Sequence, residues 1–573
     1  MLLPTTKDEL IKLKWDQLDV ILITGDAYMD SPFIGVSIIG RVLSQAGFRV
    51  GVIAQPDWHM PSDICRLGEP ALFWGITGGC MDSMVANYTA LKKKRHSDDL
   101  TAGGKNNRRP DRALVVYANL IRQYFKETKP LILGGVEASM RRIAHYDYWS
   151  DSVRRSILFD ARADYLIYGM AEKATLEVAR KLRNGQSIQD IKGICYISSS
   201  PPPDYTELPA FEDAVADKKS FAQMFNTFYQ NNDPLTAKGL FQRHGNRYLI
   251  QNPPQPLLST QELDDIYALD FSRTVHPYYA KQGKVGAMET IQFSVNTHRG
   301  CYGECNFCSI GLHEGRTLVC RSEKSIFDEV KKIAALPDFK GYIMDIGGAT
   351  ANMYGIECPR KLKSGACKNK RCLYPGICSN LKIDHSRQIN LLKNLRKIKG
   401  VKKVFVASGI RYDLLLGDKQ HRAEYMRELI AHHISGQLKV APEHVAPEIL
   451  KRMGKPASRL LLDFKNMFDE LNQSLRKNQF LTYYFMAAHP GCTRDDMRLI
   501  KAFAGKELHI NPRQVQIFTP LPSTYSALMY FTESDPFTRK KIFVEKNLRG
   551  KQHQKDLLTD RHTIRKQARK VSW

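Results

Sequence analysis

No stretch of this 573-residue chain approaches the ~18–20 consecutive apolar residues that a membrane-spanning helix requires. The opening Met1-Leu-Leu-Pro-Thr-Thr-Lys7-Asp8-Glu9 carries charge where a secretory leader would have its apolar core, which predicts a cytosolic protein with no membrane partner. Glycine (38) and proline (27) are too few for a collagen-like or low-complexity chain. Acid is short: 59 Asp and Glu face 85 Lys and Arg, a net charge of +26. An excess of that size points to polyanionic partners or a heavily solvated surface, and it excludes nothing about fold. Cysteine is scarce over most of the chain, because eight of the twelve lie between Cys301 and Cys378. Cytosolic thiols stay reduced, so such a cluster calls for metal or reactivity rather than disulfides.

The length accommodates about three to five domains, and the apolar pattern alternates strands with helices twice. Asp19–Thr24, Phe48–Ala54, Ala71–Thr77 and Pro130–Leu133 read as strands. Helical spacing spans Ile34–Leu43, Arg112–Phe125 and Glu172–Leu182. This rhythm predicts an open, mostly parallel sheet over residues 1–197. A polar insertion, Lys92 to Pro110, reads as a surface loop. Residues 198–284, with Pro201-Pro202-Pro203 and Pro253-Pro254, read as a connecting region around one helix, Phe221–Tyr229. Six further strand candidates follow, at Ile291–Asn296, Gly341–Ile346, Lys403–Ala407, Gln437–Ala441, Phe480–Ala487 and Gln514–Phe518. Helices between them predict a partial or full parallel β/α barrel over residues 285–525, with a cysteine-rich insertion at 354–380. Chemistry in such a barrel sits at the carboxyl ends of the strands. Residues 526–573 read as an exposed or partly helical basic tail.

Behind the first barrel strand stands Thr297-His-Arg-Gly-Cys301-Tyr-Gly-Glu-Cys305-Asn-Phe307-Cys308. Three thiolates at C-x3-C-x2-C spacing can wrap one loop around an iron–sulfur cube and leave one iron open. A structural zinc site would show two C-x2-4-C pairs instead. The motif resembles that of the radical S-adenosylmethionine (SAM) superfamily. The resemblance implies that Cys301, Cys305 and Cys308 hold a [4Fe-4S] cluster whose open iron chelates SAM. It further implies that Phe307 packs near adenine and that the reduced cluster cleaves SAM to a 5′-deoxyadenosyl radical. The electron would come from a reductant such as flavodoxin or ferredoxin. Gly347-Gly348 matches the family's turn for the methionine amino group, with Ala349 where the family carries an acid. Ser408-Gly-Ile-Arg411 resembles the polar site for ribose and the methionine carboxylate. Lys439-Val-Ala-Pro-Glu443-His444 with Leu450-Lys-Arg-Met453 resembles the adenine-side stretch of methylthiotransferase-like members, and Phe485-Met-Ala-Ala-His489-Pro and Gln516-Ile-Phe-Thr-Pro520 resemble the last strands of the same branch. That branch and the basic charge make RNA or a nucleotide a conceivable substrate.

The whole arrangement resembles the YgiQ-type (UPF0313) group. The implied fold class is α/β: an N-terminal open parallel-sheet, cobalamin-binding-like domain, then a partial (β/α)6 radical SAM barrel. Leu133-Gly134-Gly135 resembles the turn that approaches a corrin in such domains, yet Gly25-Asp26-Ala-Tyr-Met-Asp30 lacks the D-x-H-x-x-G histidine, which argues against bound cobalamin. Cys358, Cys367, Cys372 and Cys378 form a second group in a segment too polar to make a core. Two readings stand for it: a Zn(Cys)4 knuckle or an auxiliary [4Fe-4S] cluster. Cys65, Cys80, Cys195 and Cys492 read as buried small residues. The rival to an enzyme is a non-catalytic metal-cluster protein that binds nucleic acid through its basic surface. The Gly-Gly and Ser-Gly-Ile-Arg turns separate the two, since a binding module has no use for loops shaped to a small zwitterion.

Overall fold

The structure, a computed structural model, describes residues 2–368 and 370–559. It divides into two compact units. The first comprises Met1–Ser294 with the short pieces Ser309–Gly315 and Ser364–Ala366, and the second comprises the remainder.

The first unit is built on a nine-stranded sheet. Five parallel strands lie side by side in the order Val50–Ala54, Val20–Thr24, Phe73–Thr77, Leu131–Gly134 and Tyr165–Ile167. Val20–Thr24 and Val50–Ala54 are buried at every residue, the mark of a parallel sheet covered on both faces. Val36 and Leu43 of helix Gly35–Gln45 and Ala174 and Val178 of helix Glu172–Arg183 share one apolar core with the strands.

Here the connecting region proves to be part of the sheet. Ile194–Ser198 pairs antiparallel with Tyr165–Ile167, and Arg247–Gln251, Leu240–His244 and Thr206–Leu208 extend the sheet beyond it. Its prolines flank these short strands, which gave it the look of a linker.

In the second unit the strand segments pair in chain order. Ser294–Asn296 lies on Asp345–Gly347, Tyr342–Ile343 on Lys403–Val404, and Ile410 bridges Val440 in parallel. Gln437–Glu443, Phe480–Ala487 and Gln514–Ile517 complete the series in parallel. Ile291, expected to open the first strand, instead ends a helical turn, Met288–Ile291. Burial alternates along Gln437–Glu443 and Phe480–Ala487, so one face packs under helices such as Ser458–Ser474 and the other stays accessible.

The tail also differs from expectation. Helices Tyr525–Thr532 and Leu548–Asp556 are ordered parts of this unit. Gln554 is fully buried, accepting from the Ala488 amide at 2.9 Å and donating to the Cys492 carbonyl at 3.0 Å. Residues 560–573 lie outside the described residues. No helix among the described residues is long and apolar enough to cross a membrane.

Candidate metal centre

The cysteine loop leaves the first barrel strand through Thr297, whose amide and hydroxyl both donate to the Gly347 carbonyl, at 2.7 and 3.1 Å. Gly300 and Glu304 take left-handed backbone, at φ +87° and +44°, which coils the chain tightly between the first two cysteines. Asn306 anchors the loop. Its amide donates to the Met453 carbonyl at 2.9 Å, its side chain donates to the Arg452 carbonyl at 2.7 Å, and its own carbonyl accepts from the Ser526 amide.

None of the three cysteines of the motif is in a disulfide, and all are partly exposed. The Cys301 sulfur accepts from the Gly303 amide at 3.3 Å and lies 3.7 Å from the Thr350 hydroxyl. A Cβ on Gly303 would sit 3.2 Å from the Cys301 sulfur and 3.7 Å from that of Cys305, so both sulfurs flank a position only glycine leaves clear. No three sulfurs lie within 4.8 Å of one another among the described residues. A single tetrahedral zinc would need about 3.8 Å. A cube, where each thiolate takes its own iron, spreads its ligands over roughly 6 Å.

Arg411 is the cation of this loop. It is buried, its Nε and Nη2 pair with the two carboxylate oxygens of Asp413, and Nη1 lies 3.6 Å from the Cys305 sulfur. Two of its three nitrogens are therefore committed, and the third faces a thiol. Asn352 fixes the backbone here, accepting from the Arg411 amide at 2.8 Å and donating to its carbonyl at 3.0 Å.

Ser408 is held by Asp345, which takes its hydroxyl and accepts from the amides of Ala407 at 2.8 Å and Ser408 at 3.0 Å. Gly347 and Gly348 leave no room for side chains. A Cβ would lie 3.0 Å from the Ser408 hydroxyl at the first, and 2.8 Å from the His298 ring at the second. The His298 ring is buried, which lowers its pKa to about 4, and its Nε2 has no hydrogen-bond partner. Phe307 is partly buried, edge-on to His489 at 6.4 Å.

Asp345, Asp413 and Asn352 were not singled out as site residues by sequence, and Glu443 stood only inside the stretch likened to an adenine-side segment. Glu443 ends strand Gln437–Glu443 beyond a bulge, at φ +66°, and burial raises its pKa to about 7 against the opposing effect of Lys455. An acid at the carboxyl end of a barrel strand was the available signal.

The second cysteine group is partly gathered. Cys358 belongs to an apolar cluster with Tyr302, Met353, Ile356 and Leu414, and Cys301, Cys372 and Cys378 pack against it. Cys195 and Cys492 are buried as expected, whereas Cys65 is half-buried and Cys80 exposed.

In the first unit the chain order along the sheet reverses between Val20–Thr24 and Phe73–Thr77, where open α/β sheets place ligands. The loops at that point are filled. Asp26 accepts from Arg109 at 2.7 Å and from the Cys80 amide at 2.6 Å, and Arg109 also pairs with Asp98 at 3.0 Å. All three side chains of that charged set are at most 4% exposed. Arg109, Asp98 and Thr101 come from the insertion read as a surface loop, whose stretch from Lys92 to Ser97 is exposed but whose inner edge is buried. A Cβ on Gly135, in the turn likened to a corrin-binding one, would lie 2.4 Å from the Thr77 hydroxyl.

Comparison with known proteins agrees with this architecture. Residues 2–294 match the family model described as Radical SAM N-terminal. A UPF0313 protein of Fusobacterium nucleatum is 55% identical over 98% of this chain and 100% of its own length. One from Clostridium botulinum is 47% identical over 97% of this chain and 87% of its own. Among solved structures, the cobalamin-dependent SAM radical enzyme OxsB with aqua-cobalamin bound covers 98% of this chain and 57% of its own at 12% identity, with a TM-score of 0.50, a likeness of fold. The chain thus belongs to the UPF0313 family of radical SAM proteins.

Proposed function

We propose that the chain binds a [4Fe-4S] cluster through Cys301, Cys305 and Cys308 and uses it to cleave SAM. The observation that carries this reading is the loop itself: three cysteines outside any disulfide at the end of the first barrel strand, spread too widely for one ion, with the sulfurs of Cys301 and Cys305 flanking Gly303. When bound, the cluster supplies the electron that splits the sulfonium into methionine and a 5′-deoxyadenosyl radical, drawn in turn from a small reductant such as flavodoxin or ferredoxin.

The chain's own residues prepare that site. Arg411 and the Gly303 amide face the sulfurs of Cys305 and Cys301, at 3.6 and 3.3 Å, where they would offset the negative charge of cluster-bound sulfur. Asp345 orients Ser408 toward a polar ligand by taking its proton and its amide. Gly347 and Gly348 keep side chains out, so that a ligand there meets backbone groups. Glu443 offers a carboxyl that gains or loses a proton near pH 7. With Arg411 already bidentate to Asp413 and both Ser408 donors given to Asp345, recognition of the methionine carboxylate falls to the Gly-Gly backbone more than to either side chain.

A corrin on the first unit fits less well. OxsB holds cobalamin, which reopens a reading the missing histidine motif had set aside. The ligand crevice of this chain is instead occupied by Arg109 between Asp26 and Asp98, and we route no step through a corrin.

The test is anaerobic turnover. Reconstituted protein reduced with dithionite should release 5′-deoxyadenosine from SAM, and Cys305→Ala should abolish the release. Equal background from both proteins would refute the reading.

A further inference from the structure

We propose that Cys358, Cys367, Cys372 and Cys378 hold a second [4Fe-4S] cluster, separate from the one that would serve SAM. The four thiols fall within 21 residues at C-x8-C-x4-C-x5-C spacing. All are free, and Cys358, Cys372 and Cys378 meet at one apolar cluster. The intervening sequence is too polar to need them for packing. From Cys358 to Lys382 there are seven Lys and Arg and no Asp or Glu.

Two observations point to a ligand rather than to idle thiols. Tyr302 is fully buried in the same cluster, and among the described residues no acceptor takes the proton of its hydroxyl. The groups around that hydroxyl are the thiols of Cys372, Cys358 and Cys320 and the Cys358 backbone N–H, which is a donor itself. A phenol left dry among thiols loses one hydrogen bond unless something it can donate to arrives there. The second observation is Lys361. This lysine is only 3% exposed, and its ammonium lies 3.7 Å from the Cys372 sulfur, 3.6 Å from Glu304 and 5.1 Å above the Tyr302 ring. A buried ammonium against a sulfur offsets the negative charge that a metal-bound cysteine carries.

Geometry separates cluster from zinc. Four sulfurs on one zinc stand about 3.8 Å apart, whereas no three of these sulfurs lie within 4.8 Å of one another among the described residues. A cube tolerates the wider spread, since each sulfur meets a different iron. Assembly takes two ferrous ions, two ferric ions and four sulfides, which together make a core of charge 2+. Each of the four thiols gives its proton to solvent as its iron–sulfur bond forms, and the core with its four thiolates is a dianion. The seven cations of the segment, Lys361 nearest, compensate that charge, and the Tyr302 hydroxyl donates to a cluster or cysteine sulfur.

Iron, sulfide and zinc counts on full-length protein, reconstituted without oxygen, test this. Wild type should hold about eight irons and both the Cys301→Ala/Cys305→Ala/Cys308→Ala and the Cys372→Ser/Cys378→Ser proteins about four each, at about four per cube. After dithionite reduction, the triple variant should keep a paramagnetic cluster signal that does not change when SAM is added. Wild type with about four irons, all lost in the triple variant, overturns the second cluster and leaves the SAM-site reading standing. Four irons all retained in the triple variant do the reverse. One zinc in wild type that disappears from the Cys372→Ser/Cys378→Ser protein overturns the cluster in favour of a single ion. The triple variant keeps all four thiols of the second group, so its iron content decides even if the double variant fails to fold.

Discussion

Replacing Glu443 with glutamine should make the protein more stable at alkaline pH, and by an amount that depends on pH. The carboxyl titrates near 7 in the folded chain, against 4.5 when unperturbed. At low pH both states are protonated and the group contributes nothing to the balance. As pH rises through 4.5, the unfolded chain ionises while the folded one holds its proton, so stability falls. The loss is complete above the folded pKa. A separation of 2.5 units at 1.36 kcal/mol per unit gives about 3 kcal/mol at pH 8 and about 1 kcal/mol at pH 5. The figure is an upper bound, because Glu443 keeps partial contact with solvent. Glutamine preserves shape and the left-handed backbone at φ +66°, so strain cancels in the comparison. Thermal unfolding of both proteins from pH 5 to pH 8 reads the difference. At roughly 2–4 °C per kcal/mol, the variant's advantage should widen by several degrees across that range. Glu137, also raised to about 7 by burial and the nearby Asp82, titrates equally in both proteins and drops out. A constant offset, or a variant less stable at pH 8, would refute the assignment of a protonated buried acid.

Two further substitutions probe the other junctions. Arg109→Met strands Asp26 and Asp98 as buried, unpaired carboxylates. It should cost about 3–5 kcal/mol, read as a lower unfolding midpoint, and adding Asp26→Asn should recover part of it. Gly348→Ala places a methyl 2.8 Å from the His298 ring and 3.0 Å from its carbonyl. An overpacking cost of about 1–3 kcal/mol should accompany a loss of iron from the cysteine loop, whereas unchanged stability and iron content would contradict the close packing.

Much of the fold was legible because its signals are local. The buried strands Val20–Thr24 and Val50–Ala54 are continuous apolar runs, and the cysteine loop carries its spacing within eight residues. What stayed hidden depends on distant pairing. Asp345 meets Ser408 across 63 residues and Asp26 meets Arg109 across 83, and no local pattern announces either. Arg411 read as an arm free for a carboxylate ligand, and Asp413, two residues on, claims it. The tail is partly helical, one of the two expectations, but charge counts treat Lys551 as surface. Its stem is buried and its ammonium rests 4.6 Å over the Tyr530 ring, donating to the hydroxyl at 2.9 Å, as an amphipathic side chain can.

The scarcity of acid acquires a second meaning once the buried pairs are known. Asp26, Asp98, Asp345 and Asp413 are engaged inside, with Arg109, Ser408 and Arg411, and Asp82 and Asp147 embrace Arg141. A carboxylate shared with a buried arginine neutralises nothing on the surface. The six carboxylates outnumber the three arginines among them, so these sets are net negative and the rest of the chain carries an excess larger than +26. The part of that charge that faces water is screened by salt over about 10 Å at 0.1 M. The chemistry of the cysteine loop depends instead on a few carboxylates that salt does not reach. Raising ionic strength should weaken any binding of polyanions to this surface while leaving Arg411 locked to Asp413 beside Cys305, which makes surface charge and cluster chemistry separable in one titration.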